Sequence, residues 1–196
     1  MAKLYFRYGA MNSGKSTALI QVAFNYEQRG MKAILIKPSV DTKGGDKVVN
    51  RTGYERKVDY LISRDDNILE VLDLNNLPDA ILIDEAQFLT PKQVDELYRI
   101  TKLYDVPVLA YGLRANFQQE PFEGSPRLLL IADSIEELKT ICRCGKKATQ
   151  NMRLLNGKPV FEGDAIYIDG SGEFTYESVC GECYLKFKDE ALKNNK

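Results

Sequence analysis

Apolar and polar positions change period abruptly within the first thirty residues. Residues 3–8 are a short β-prone run. A glycine-bounded stretch follows, and then Leu19, Val22, Ala23 and Tyr26 recur at helical spacing before Gly30. The pattern predicts a strand, a glycine loop and a helix. Residues 33–36 are uniformly apolar and end at Pro38, which predicts a buried strand. Residues 40–56 are polar, carry Gly44, Gly45 and Gly53, and show no period, so a mobile loop beside the active site is expected. Its Lys43, Lys47 and Arg51 are read either as solvated charges or as phosphate contacts.

Residues 58–62 read as a strand and 66–72 as a helix. Residues 80–83 are apolar throughout and run directly into two acids. Thr90-Pro91-Lys92-Gln93 is a capping box with proline at the first helical position, and Val94, Leu97, Tyr98 and Thr101 share a face as far as Lys102. Residues 106–111 predict another strand, closed by Gly112. Residues 133–137 read as the start of a short helix. Residues 158–176 alternate at Val160, Ala165, Ile166 and Ile168 and then carry Asp169-Gly170-Ser171-Gly172, which predicts a β-hairpin with a glycine-rich tip able to fold over a ligand. Strands alternate with helices, so the expected class is α/β, a mostly parallel sheet with helices on both faces.

The chain has 196 residues, 44% of them hydrophobic, which suits one domain or one domain with a small appendage. Lysine plus arginine number 27 and aspartate plus glutamate 28, for a net charge of −1; this argues against a basic nucleic-acid surface. The N-terminal residues lack a signal-peptide pattern, and the longest apolar runs, such as 128–132, are too short to cross a bilayer, so a cytoplasmic location without a membrane is expected. There are no histidines. Any general base must therefore be Asp, Glu, Lys, Tyr or a thiolate, and any all-protein zinc site must rest mainly on cysteine.

Gly9-Ala10-Met11-Asn12-Ser13-Gly14-Lys15-Ser16 matches the phosphate-cradling loop G-x-x-x-x-G-K-[ST]. Glycines let backbone N–H groups converge on a phosphate, Lys15 reaches the β- and γ-phosphates, and the Ser16 hydroxyl holds Mg²⁺. Asp84 follows an apolar strand, as an acid that holds Mg²⁺ directly or through water does. Glu85 sits beside it, at the strand end where α/β sheets place their chemistry. Residues 113–124 then break the core pattern and offer Phe117 and Phe122, suited either to stacking a planar base or to plugging the loop.

All four cysteines fall late: Cys142 and Cys144 as C-x-C, Cys180 and Cys183 as C-x-x-C. In a cytosolic chain such pairs read as a closed Cys₄ structural zinc ribbon, with plain reduced thiols or a redox pair as the alternatives. The expected organisation is a core over 1–139, a zinc-binding domain over 140–190 and a frayed tail over 191–196.

GAMNSGKS at 9–16, DEAQF at 84–88, FQQEPF at 117–122 and the cysteine pairs around a glycine hairpin together resemble the cytosolic-type (type II) thymidine kinase family, over residues 3–186. The resemblance implies a RecA-like P-loop sheet plus a small zinc-ribbon-like domain with a lasso loop. It implies ATP-dependent phosphorylation of the thymidine 5′-hydroxyl, with Glu85 as general base. Gly9, Ala10, Met11, Asn12, Ser13, Gly14, Lys15 and Ser16 would hold the ATP phosphates, with Asp84 and Gln87. Met11, Phe88, Leu113, Phe117 and Phe122 would line the base pocket. The lasso, residues 151–176, would close through Asn151, Ile168, Gly170 and Tyr176. The family also implies a homotetramer and feedback inhibition by thymidine triphosphate. Two departures stand out: C-x-C replaces the family's C-x-x-C, and Lys43 stands where an Asp-Thr-Arg motif has arginine. The rival readings are a RecA-like ATPase and a nucleotide sensor with a zinc interaction module.

Overall fold

Apolar strands alternating with helices build one open sheet covered on both faces. The computed structural model describes residues 1–41, 44–50, 53–163 and 174–194. Its first part runs β1 (Leu4–Tyr8), α1 (Lys15–Glu27), β2 (Ala33–Pro38), β3 (Lys47–Val49), β4 (Glu55–Lys57), β5 (Tyr60–Ile62), α2 (Ile68–Val71), β6 (Ala80–Ile83), a 3₁₀ turn (Ala86–Phe88), α3 (Pro91–Leu103), β7 (Val108–Gly112), α4 (Gly124–Ile131) and β8 (Ser134–Glu137). Six strands join in the order β5-β2-β6-β7-β1-β8, all parallel.

Burial on both faces explains the unbroken apolar runs of β2 and β6. Successive residues point to opposite sides. Ile34, Ile36, Ile81 and Ile83 meet α3 through Val94, Leu97 and Ile100, and α4 through Leu128. Leu35, Leu82, Leu109 and Tyr111 meet Leu19 and Ala23 of α1. The capping box forms as expected: Gln93 N donates to Thr90 Oγ1 at 3.2 Å and Thr90 N donates to Gln93 Oε1 at 3.0 Å. The Gln93 amide also donates to Ser63 O at 2.8 Å, which ties the start of α3 to the segment after β5.

Two expectations change in this part. Residues 134–137 form a strand, β8, where a helix start was expected; Asp133 Oδ2 accepts from Leu4 N at 2.8 Å and sets the strand beside β1. Its acids lie at the sheet edge, so they mimic the acidic first turn of a helix. The supposedly aperiodic loop carries an antiparallel β3–β4 hairpin that buries Val48 against the α1 side of the sheet. One buried residue gives no period to read. Lys43 and Arg51 lie outside the described residues.

The second part comprises β9 (Thr140–Ile141), β10 (Lys147–Ala148), β11 (Gln150–Leu155), β12 (Lys158–Val160), β13 (Phe174–Val179) and α5 (Gly181–Asn194). The expected hairpin between 158 and 176 is a three-stranded sheet in the order β12-β11-β13. Both outer strands pair with the unforeseen β11. The tight turn is Asn156-Gly157, with φ of 50° and 78°, the geometry that favours this dipeptide in hairpins. Ile168 and Gly170, with the rest of the glycine-rich stretch, lie outside the described residues. Met152, Val179 and Tyr184 form the core with Cys142 and Cys180. The charged tail expected to fray from 191 remains helical to Asn194. Among the described residues, no helix is long and apolar enough to cross a membrane.

Candidate active site

The neighbouring strands β6, β7 and β1 deliver the site at their carboxyl ends. Gly9 follows β1, and its N–H donates to Gly112 O at 3.3 Å. A Cβ on Gly9 would lie 2.4 Å from both Leu138 O and Ser13 Oγ, so only glycine fits. Asn12 and Gly14 turn the loop in left-handed conformations, φ 65° and 81°. The first turn of α1 has neither a side-chain cap nor an acid, which leaves its N–H groups for an anion. Lys15 Nζ arches back over the loop, donating to Ala10 O at 2.9 Å and Gly9 O at 3.2 Å. Ser16 follows it in the same turn of the helix.

Asp84 is buried at the end of β6, with its N–H on Ile36 O at 3.0 Å. Burial, then the charges of Glu85 and Asp41, push its carboxyl up to about 8, against the pull of Lys37. Bringing a cation close would offset the repulsion between these acids and let Asp84 ionise. Lys37 is 1% exposed and pairs with Asp41 at 3.0 Å. Sequence reasoning missed both; the only signal was an acid shortly after the carboxyl end of β2.

Glu85 adopts a left-handed backbone, φ 49° and ψ 42°, uncommon for a non-glycine residue and a frequent mark of functional positions. The Gln87 amide donates to Glu85 Oε2 at 2.5 Å, while its Oε1 accepts from Leu113 N at 3.0 Å. Gly112 makes room for this side chain: a Cβ there would stand 2.7 Å from Gln87 Oε1. Gln87, expected at the phosphates, lies on the 3₁₀ turn and links the Glu85 carboxylate to the backbone just after β7. Gln87→Ala should lower kcat about 10- to 100-fold with ATP affinity near wild type, as loss of orientation alone does. Steady-state kinetics beside equilibrium binding checks this; equal loss of ATP affinity would return Gln87 to the phosphates.

A cavity of 290 Å³ opens beside Gln87, lined by Phe88, Phe122, Pro38, Val40 and Ile62 among others. Phe88 and Phe122 meet edge to face, centroids 5.5 Å apart. Arg64 and Glu123, also on this lining, form an ion pair with one contact at 2.7 Å. The remaining expected base contacts lie elsewhere. Phe117 is 2% exposed, the Arg153 guanidinium sits 3.8 Å from its ring centroid, and Tyr184 Oη donates to its carbonyl at 2.7 Å. Of its two readings, the structure places it as the plug. Leu113 is half-buried behind Gln87. Asn151 lies on β11 with its amide committed to backbone groups of Met11 and Ala115. Tyr176 lies on β13, opposite Arg153.

The sulfurs of Cys142, Cys144, Cys180 and Cys183 lie within 4.8 Å of one another. A tetrahedron with Zn–S near ~2.3 Å needs sulfurs about 3.8 Å apart, and Cys144 and Cys180 stand at 3.6 Å. The C-x-C pair closes through a tight turn: Gly145 N donates to Cys142 O, and Cys142 N to Lys146 O, both at 2.8 Å. The cluster fits a structural zinc ion.

A glycine phosphate loop, a buried aspartate with a half-buried glutamate beside it at the end of the next-but-one strand, and a parallel sheet define an α/β P-loop nucleotide-binding core. The thymidine kinase family model matches residues 2–184. The chain belongs to the thymidine kinase family, a family of enzymes. It is 44% identical over 187 residues to a thymidine kinase of Streptococcus pyogenes serotype M3, covering 94% of this chain and 98% of that one. A thymidine kinase of Francisella tularensis subsp. holarctica is 44% identical over 188 residues, 92% of this chain and 95% of the relative. That of Streptococcus agalactiae serotype Ia is 45% identical over 187 residues, 94% and 98%. Among solved structures, a DNA replication initiation factor overlaps with TM-score 0.41 at 16% identity, over 70% of this chain and 40% of its own. So slight a likeness supports no argument.

Proposed function

We propose that the enzyme transfers the γ-phosphoryl group of ATP to the 5′-hydroxyl of thymidine, giving thymidine monophosphate and ADP in pyrimidine deoxynucleoside salvage. The observation that carries the reading is Glu85, at the carboxyl end of β6, held by Gln87, which itself lines the aromatic cavity. Residues 9–16 bind and orient the triphosphate. The nucleoside base lies against Phe88 and Phe122, with Phe117 bracing the loop from behind and the lasso, including Ile168, Gly170 and Tyr176, closing over it. Glu85 accepts the 5′-hydroxyl proton as that oxygen bonds to the γ-phosphorus and the bond to the β-phosphate oxygen breaks. Ser16 and Asp84 would hold Mg²⁺, which neutralises charge on the phosphates when bound. The four cysteines would hold zinc as a scaffold. Family membership further supports a cytoplasmic homotetramer inhibited by thymidine triphosphate, with the chain divided near residues 139 and 140.

Product analysis with Mg-ATP and thymidine tests the reading. Thymidine monophosphate and ADP should form in equal amounts, and only with both substrates present. ATP hydrolysis at the same rate without nucleoside, with no monophosphate formed, would favour an ATPase.

A further inference from the structure

Met11 is the third residue of the phosphate loop, and both of its backbone polar groups are held from outside the main sheet. Its N–H donates to Asn151 Oδ1 at 2.7 Å. Its carbonyl accepts from the Ser178 hydroxyl. Asn151 and Ser178 stand directly opposite each other on β11 and β13, a cross-strand pair of the cysteine-bearing part. Both are buried, 7% and 6% exposed. The Asn151 amide also donates to Ala115 O at 3.3 Å, in the segment after β7.

The consequence follows from peptide planarity. In a trans peptide the C=O and N–H point in opposite directions. Holding the Met11 N–H at Asn151 therefore turns Ala10 C=O the other way, where it accepts from Lys15 Nζ at 2.9 Å. Holding the Met11 carbonyl at Ser178 turns the Asn12 N–H away from Ser178. Two consecutive peptide planes of the phosphate loop are thus oriented by one pair of side chains. A phosphate loop works by converging N–H groups, so fixing these planes prepares it for the anion.

We propose that Asn151 and Ser178 are positioning residues that clamp the phosphate loop in its anion-binding form. This makes the cysteine-bearing part a support for ATP binding as well as a cover for the nucleoside. The inference rests on the reading of residues 9–16 as the ATP phosphate site.

Asn151→Ala, Ser178→Ala and Ser178→Thr test it, each measured for Mg-ATP affinity at equilibrium, for KM of ATP and of thymidine, and for zinc content. Each alanine variant should weaken ATP binding about tenfold, the scale of a lost buried hydrogen bond. In the Ser178 variants KM for thymidine should stay within about twofold, zinc should remain bound, and Ser178→Thr, which keeps the hydroxyl, should restore ATP affinity. ATP affinity unchanged in both alanine variants overturns the clamp. So does a parallel loss of ATP and thymidine binding that tracks a lowered melting temperature, the mark of mere loosening. If Asn151→Ala fails to fold, the Ser178 pair decides alone. A wild-type protein that binds no ATP would overturn the reading of the loop itself, an outcome separate from any variant effect.

Discussion

Glu85→Gln should lower kcat by about 10²–10⁴-fold, the range for loss of a positioned general base, and leave ATP binding close to wild type. The substitution keeps the shape of the side chain. A glutamine oxygen still accepts the bond from Gln87 that now reaches Glu85 Oε2 at 2.5 Å. The left-handed backbone at φ 49° is as open to glutamine as to glutamate. Only the capacity to take a proton disappears. The effect on the neighbouring acid has a definite sign. The Glu85 charge is one of the influences that hold Asp84 up at about 8. Removing it lets Asp84 ionise more readily, so Mg²⁺-dependent ATP binding near neutral pH should be equal or slightly tighter. Steady-state kcat with thymidine, set beside the equilibrium dissociation constant for Mg-ATP, separates the two effects. If both fall together, Glu85 holds metal or phosphate and another group takes the proton.

What could be read from the sequence was local. The phosphate loop needs a strand, a glycine turn and a helix in direct succession, and all three lie within thirty residues. The acids at 84 and 85 follow an apolar strand without interruption, and the α3 cap is spelled out in Thr90-Pro91-Lys92-Gln93. What escaped depends on contacts between distant segments. β8 is an edge strand only because β1 is there to pair with it. Phe117 is a plug because Arg153 and Tyr184 arrive from elsewhere to cover it. The hold on Met11 joins residues 140 and 167 positions apart, and no pattern along the chain marks it. One miss had a local signal after all. Asn156-Gly157 is a strong hairpin dipeptide, but the longer glycine-rich stretch at 169–172 drew the turn to itself.

Removing one zinc ligand should reach beyond the metal. The wild-type protein should carry about one zinc per chain, and Cys180→Ser should carry little or none. Cys180 lies in the small core with Met152, Val179 and Tyr184, between the end of β13 and the start of α5. Without the metal, that core has few other apolar contacts to hold β11 and β13 in register. Those strands carry Asn151 and Ser178, so the variant should lose ATP affinity as well as melting temperature. Metal release should also depend on pH with a fixed sign. In the bare cluster, burial alone would raise the Cys142 thiol, but the N–H groups of Cys144 and Cys180 and neighbouring thiols draw it down to about 7. Hydrogen bonds with Cys144 and Cys180 push Cys183 up to about 12. Zinc requires all four as thiolates. Binding therefore expels protons, that of Cys183 already at neutral pH, so affinity should fall as the pH is lowered and more steeply below about 7, where Cys142 is protonated too, read with a zinc-sensitive dye. Full activity and an unchanged melting temperature in metal-free protein would remove zinc from the account. Loss of zinc and melting temperature with ATP affinity intact would keep the ribbon and detach it from the phosphate loop, because the two strands would then hold Met11 without help from the metal.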